Sequence, residues 1–252
     1  MTPEQVSDIF EQTFTRARER DEFEYACTLL RLRGMEDAGW DPLIETGALF
    51  HDVASLLDAP LTDYARVRLG LLLYSHLTEV DAIYQMLLNL IEIAAGERYL
   101  IDPFHDLYRP PDRPRWQQYP PSAKRVVERL KEKAAERGHN EIVELLEWFF
   151  NDSVRNAFFH SDYILYSDEF RSRDATFADE SGARTSRLKL DAIVDLVNRS
   201  IVFYQAFIDV YETHRSSYTE NKTVRGRFGA QGEEIEITLL ASEERGLYGF
   251  RG

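Results

Sequence analysis

Apolar residues recur along most of this chain at the three-and-four spacing of amphipathic helices. Residues 3–36 read as a first helix: Thr2 or Ser7 can cap it, Pro3 suits its first turn and Gly34 can stop it. Trp40-Asp41-Pro42 opens a more apolar segment that runs to Leu57 and closes at Pro60. From Thr62 to about Ala95 apolar residues cover nearly the whole circumference, which predicts one long central helix ended by Gly96. Residues 97–121 hold six prolines and read as an irregular excursion. Ser122 to Arg137 predicts a charged helix stopped by Gly138, and Asn140 caps another that runs to about Phe159.

After His160 the period shortens. SDYILYSDEFRSRDATFAD alternates as a short strand pair does. Leu188 to His214 returns to helical spacing, GRFGAQG reads as a hairpin turn, and EIEITLLA alternates as a strand. The predicted class is mainly α, a helical bundle with short β-strand additions after residue 160 and at the C-terminus. Along the chain this divides into an N-terminal helical extension over 1–60, a helical core over 61–215 with its Pro-rich loop at 97–121, and a β appendage over 216–252 packed on that core.

Composition narrows the chemistry. With 252 residues, 44% of them apolar, the chain can bury a sizeable core. Cys27 is the single cysteine, so neither an internal disulfide nor a multi-cysteine zinc site can form. MTPEQVSDIFEQ does not read as a signal peptide, and the apolar stretch over 69–95 is interrupted by charged residues, so a cytoplasmic protein without membrane spans is expected. The formal net charge of −14 argues against a general nucleic-acid-binding surface. That charge is uneven: residues 1–108 carry 8 Lys/Arg against 20 Asp/Glu, whereas residues 109–137 carry 9 against 4. The basic segment reads either as a solvated loop and helix face or as a rim attracting a polyanion through Arg125, Arg129 and Lys133.

The basic segment leads into NDSVRNAFFHSDYIL, residues 151–165. On one ideal helix, Ile142, Leu146 and Phe149 share a stripe with Ser153, Asn156 and His160, so a buried face turns polar at its end. Asn156 and His160 stand four apart and can meet, with Arg155 one step around beside Asp152.

RNAFFH, Arg155 to His160, resembles the signature of HEPN domains, in which an arginine and a polar residue precede a histidine by a few positions. The order of helices from about Asp63 to His214 is compatible with such a bundle; the first 60 residues and the C-terminal strands fall outside the resemblance. It implies an all-α bundle, often a homodimer with two motif helices at a shared cleft, and in many members an endoribonuclease that needs no metal or other cofactor. RNA supplies its own nucleophile, the 2′-hydroxyl. His160 would move a proton, Arg155 would hold the phosphate as charge develops, and Asn156 would orient either group. Asp162 and Tyr163 would support the substrate. Other HEPN members are non-catalytic modules, so a helical module binding a protein, RNA or nucleotide partner is the alternative.

A purely structural reading of the same residues is equally specific. Arg155 would pair with Asp152, and His160 would sit at the helix C-terminus, where a cation is favoured. His76, Glu79 and Glu92 lack a second Glu-x-x-His element and read as satisfied bundle residues rather than metal ligands.

Overall fold

The structure, a computed structural model, describes residues 1–31, 41–57, 59–178, 182–227 and 232–252. Among them the chain is mainly helical with short antiparallel strands. Gly34, Trp40 and the centre of GRFGAQG lie outside the described residues.

Three predicted helices are each divided by a capping residue. The first becomes α1 (Pro3–Arg20) and α2 (Glu22–Leu30). Thr2 and Gln5 form a capping box at the start of α1. Asp21 then leaves helical geometry, and its Oδ1 accepts from the backbone N–H of Phe23 and Glu24 at 3.1 and 3.0 Å, starting α2. After α3 (Pro42–Leu57), the expected 62–95 helix is α4 (Asp63–Leu77) followed by α5 (Asp81–Ala94). Thr78 Oγ1 donates to the Ser75 carbonyl at 3.0 Å and Glu79 N–H to that of His76, which closes α4. After α6 (Ala123–Glu136), the expected 140–159 helix is α7 (Asn140–Phe149) and α8 (Asp152–Phe159), separated by Asn151 in extended geometry. The long helix near the C-terminus stays whole as α9 (Leu190–Ser216).

The chain forms two compact units. Residues 1–40, 81–143 and 205–252 make the first; residues 41–80 and 144–204 make the second. The expected segments 1–60, 61–215 and 216–252 run consecutively along the chain, whereas each unit gathers separated stretches. α4 buries Leu71, Leu73 and Tyr74, and α5 by itself is buried around most of its circumference, at Ala82, Ile83, Tyr84, Met86, Leu87, Leu88, Leu90, Ile91 and Ile93. The near-complete apolar coverage of 62–95 therefore comes largely from α5.

In the first unit α1 packs on α5 and α5 on α6. Phe207 meets Phe10 and Phe14 edge-on, with centroids 5.3 and 5.7 Å apart. An antiparallel sheet of β6 (Lys222–Arg227), β7 (Glu234–Ser242) and β8 (Gly246–Arg251), with β7 central, contacts α2. The contact requires Gly226: a Cβ there would stand 2.5 Å from the Phe23 ring. Phe23 in turn meets Phe250 edge-on at 5.3 Å.

The second unit joins α3, α4 and α8 to a small antiparallel sheet of β1 (Ile164–Tyr166), β2 (Glu169–Arg171) and β5 (Arg187–Lys189), in the order β1-β2-β5. The first two strands are the predicted pair. A separate two-stranded ladder joins β3 (Phe177–Ala178) to β4 (Arg184–Thr185). Leu71, Tyr74, Val154, Ala157, Phe170 and Val197 form its core. No helix among the described residues is long and apolar enough to cross a membrane.

Candidate functional site

The sequence Asn151-Asp152-Ser153 carries a helix start inside a run that otherwise reads as continuous helix. Asn151 Oδ1 accepts from Val154 N–H at 3.1 Å, and Asn151 N–H donates to the Tyr74 hydroxyl at 2.7 Å. The Tyr74 hydroxyl also donates toward the carbonyls of Asn151 and Phe149, 3.2 and 3.4 Å away. One buried phenol on α4 therefore pins the junction between α7 and α8. Burial pushes its pKa above the ordinary tyrosine value. The single straight stripe from Ile142 to His160 does not exist, because the chain turns at Asn151.

α8 is thus a two-turn helix of its own, and its first-turn Asp152 organises the polar residues. Asp152 accepts from Arg155 Nη2 at 2.7 Å through one oxygen and from Asn156 Nδ2 at 2.9 Å through the other. Arg155 Nη1 donates to Glu79, which follows the end of α4. The Arg155 side chain is 11% exposed, with Asp152 at 19% and Glu79 at 38%. Arg155 Nε is buried and has no hydrogen-bond partner among the described residues. Burial raises the pKa of Glu79 above the usual carboxylate range, while Arg155 pulls it back down.

His160 stands at the C-cap of α8, where its N–H donates to the Asn156 carbonyl at 2.9 Å. The residue is exposed, and its ring makes no hydrogen bond or ion pair among the described residues. Arg155, Asn156 and His160 are therefore gathered on one short helix. Arg155 and Asn156 share a carboxylate, and His160 faces solvent one turn later.

Asp162 and Tyr163 are engaged in holding the fold. Asp162 accepts from Ser172 Oγ at 2.7 Å and Asp174 N–H at 3.1 Å, stapling the turn after β2. These bonds, led by Ser172, hold its carboxyl below the usual carboxylate range. Tyr163 stacks on Phe170 at 5.2 Å and lies against Phe158 at 5.5 Å.

Arg125, Arg129 and Lys133 lie on α6 in the first unit, whereas α8 belongs to the second. Arg129 pairs with Asp106 and, at 3.3 Å, with Glu132; Lys133 pairs with Glu136 at 2.8 Å. Arg125 is half-buried and makes no ion pair among the described residues. Arg129 and Lys133 therefore spend their charge on neighbouring acids.

The sequence reading missed Glu79 as the second partner of Arg155 and Tyr74 as the junction pin. Glu79 is one of two acids in HLTEVDAIY, and its partner lies 76 positions away. Among the described residues no group of three or more His, Cys, Asp or Glu could hold a metal ion. No family model, curated protein or solved structure matches the chain.

Proposed function

We propose that this is a HEPN-like helical protein that cleaves RNA at α8, working as a homodimer and without a metal ion. The observation that carries this reading is the exposed imidazole of His160 at the end of the helix on which Asp152 gathers Arg155 and Asn156. In the reaction the ribose 2′-oxygen attacks the adjacent phosphorus and the bond to the 5′-oxygen breaks. A 2′,3′-cyclic phosphate and a 5′-hydroxyl result. His160 takes the 2′-proton or delivers one to the leaving oxygen. Arg155 stabilises the charge on the phosphate after exchanging Glu79, the more exposed of its two carboxylates, for a phosphate oxygen. A second copy would cover Phe159, 52% exposed beside His160, and bring a second α8 to the same substrate.

One observation favours the other reading, a non-catalytic HEPN-like module. Arg155 is already held by two carboxylates, so a phosphate must compete for it. Incubating the protein with end-labelled RNA in EDTA separates the two. Products with 2′,3′-cyclic phosphate ends that disappear in His160→Ala are expected from the enzyme. RNA that is bound but never cut would leave the non-catalytic module.

A further inference from the structure

The first unit holds a second concentration of cationic groups, outside any recognised motif. A recess of about 220 Å³ is lined by Arg20 at the end of α1, Arg98, and Arg225 and Arg227 on β6. Arg98 is committed: its Nε donates to Glu24 at 2.9 Å. Arg20, Arg225 and Arg227 are exposed and form no ion pair among the described residues. In a chain with 44 acidic residues and a net charge of −14, three arginines lining one recess without a carboxylate partner need an explanation.

Their placement is built into the backbone. Arg225 and Arg227 are two apart on a strand and so project from the same face, while Gly226 between them abuts Phe23 on the other. Arg20 is admitted by Gly96, whose φ is +95° and where a Cβ would stand 2.9 Å from Arg20 Nη2. The acids at the recess are mostly engaged. Asp21 caps α2, Glu24 accepts from Arg98 and from Tyr99 N–H, and Glu97 reaches Arg137 at 3.4 Å. Glu234 lies opposite Arg227 in the strand register yet forms no ion pair among the described residues.

Glu24, Glu97, Arg98 and Arg227 also line a larger cavity of about 950 Å³. Its walls include Phe23, Leu88, Tyr99, Leu100 and Phe250. Glu92, Asp106, Arg129 and Lys133 also line it. An arginine-lined recess thus adjoins a cavity of ordinary ligand size with one aromatic and aliphatic wall.

We infer that this pair of cavities binds a nucleotide-class ligand, its phosphates on Arg20, Arg225 and Arg227 and its ring against the aromatic and aliphatic wall of the larger cavity. Guanidinium groups match phosphate oxygens with paired N–H donors, and three of them suit a di- or trianion better than a single carboxylate. The chamber is far larger than inorganic phosphate requires. The site lies in the first unit and is independent of α8.

Calorimetric titration with ADP, pyrophosphate and adenosine tests it. ADP should bind saturably, pyrophosphate more weakly, and adenosine weaker still. Arg225→Gln and Arg227→Gln should each weaken ADP about tenfold with an unchanged melting temperature. Glu234→Gln should tighten it, and His160→Ala should leave it unaltered. The inference is overturned if millimolar ADP gives no saturable signal, if pyrophosphate binds as well as ADP, or if the arginine variants bind normally.

Discussion

The arginine on α8 and the arginines on β6 stand in opposite electrostatic circumstances. Arg155 is nearly buried and gripped by Glu79 and Asp152. Arg225 and Arg227 are exposed and unpaired among the described residues. The first lies in a stretch that resembles a known signature; the second pair lies in an unremarkable strand, VRGR. The difference teaches that a motif names the residue types, while the carboxylates around them decide how much cation is left for a ligand. An enclosed pair also resists dissociation, because separating it leaves buried charge uncompensated.

The sharpest way to break the comparison is His160→Ala. If α8 is catalytic despite its neutralised arginine, cleavage should fall by about 10²–10⁴ because a proton-transfer group is lost. The melting temperature should stay put, since the ring is exposed and makes no hydrogen bond or ion pair among the described residues. Unaltered cleavage by this variant would remove α8 from the chemistry.

Arg155→Ala should show up in stability as well. Removing one member of a buried ion pair costs about 3–5 kcal/mol, and the 38% exposure of Glu79 reduces that to an expected loss of about 2 kcal/mol. Urea denaturation measures it. Adding Glu79→Gln and Asp152→Asn should recover part of the loss, since no orphaned carboxylate then remains. A stability change near zero would mean that Arg155 is available to a ligand after all, and the contrast with Arg225 and Arg227 would fail.

Helical class, the strand pair after residue 160, the C-terminal strand and α9 were legible because each rests on a period that local residues carry. The breaks at Asp21, Thr78 and Asn151 were not read. In each, apolar spacing runs through the cap because the helices on both sides bury a face, and periodicity does not register the turn between them. The capping residues themselves were visible: Asn151-Asp152-Ser153 is as good a helix start as Asn140-Glu141. At the α8 site, the pairing of Arg155 with Asp152 follows from i,i+3 spacing, and the sequence reading offered it as the structural alternative. Glu79 and Tyr74 come from α4 and its end, and only the tertiary fold brings them to α8. The same holds for Arg20 and Gly96 beside β6: two-residue alternation puts Arg225 and Arg227 on one face, but nothing local brings Arg20 to them.

Protonation offers a smaller, graded perturbation. His76 in the second unit, and His139 and His214 in the first, all have pKa values lowered chiefly by burial. Glu141 lies 3.6 Å from His139 and Glu11 lies 3.1 Å from His214, each partly opposing that shift, while Arg16 faces His139 and Thr46 faces His76. A depressed folded pKa means the unfolded chain binds the proton more readily. Their stabilisation is present above the unfolded value of about 6.5 and is lost as pH falls through the folded values. The melting temperature should therefore drop on acidification below that point, less steeply in His214→Gln. Glu79, with its raised pKa, contributes in the opposite sense. A melting temperature that rises over the same window would show that the histidines are solvated.

The smallest expected effect concerns α6, and it tests the distinction between engaged and available cations most directly. Arg125, Arg129 and Lys133 look like one basic stripe in the sequence, but Arg129 is held by Asp106 and Glu132 and Lys133 by Glu136. Each phosphate contact to a single strand adds about 0.7 to the slope of log affinity against log salt. If all three residues met RNA, replacing them with Gln would flatten that slope by about 2; if Arg125 alone is available, by about 0.7. The smaller change is expected, with most of it reproduced by Arg125→Gln alone. Replacing Arg129 and Lys133 without Arg125 should then leave the slope nearly intact and alter only the local ion pairs. The full change of about 2 would mean that surface carboxylates release their partners easily to a polyanion. Pairing on α6 would then say little about binding, and the contrast would survive only for a buried pair such as that of Arg155.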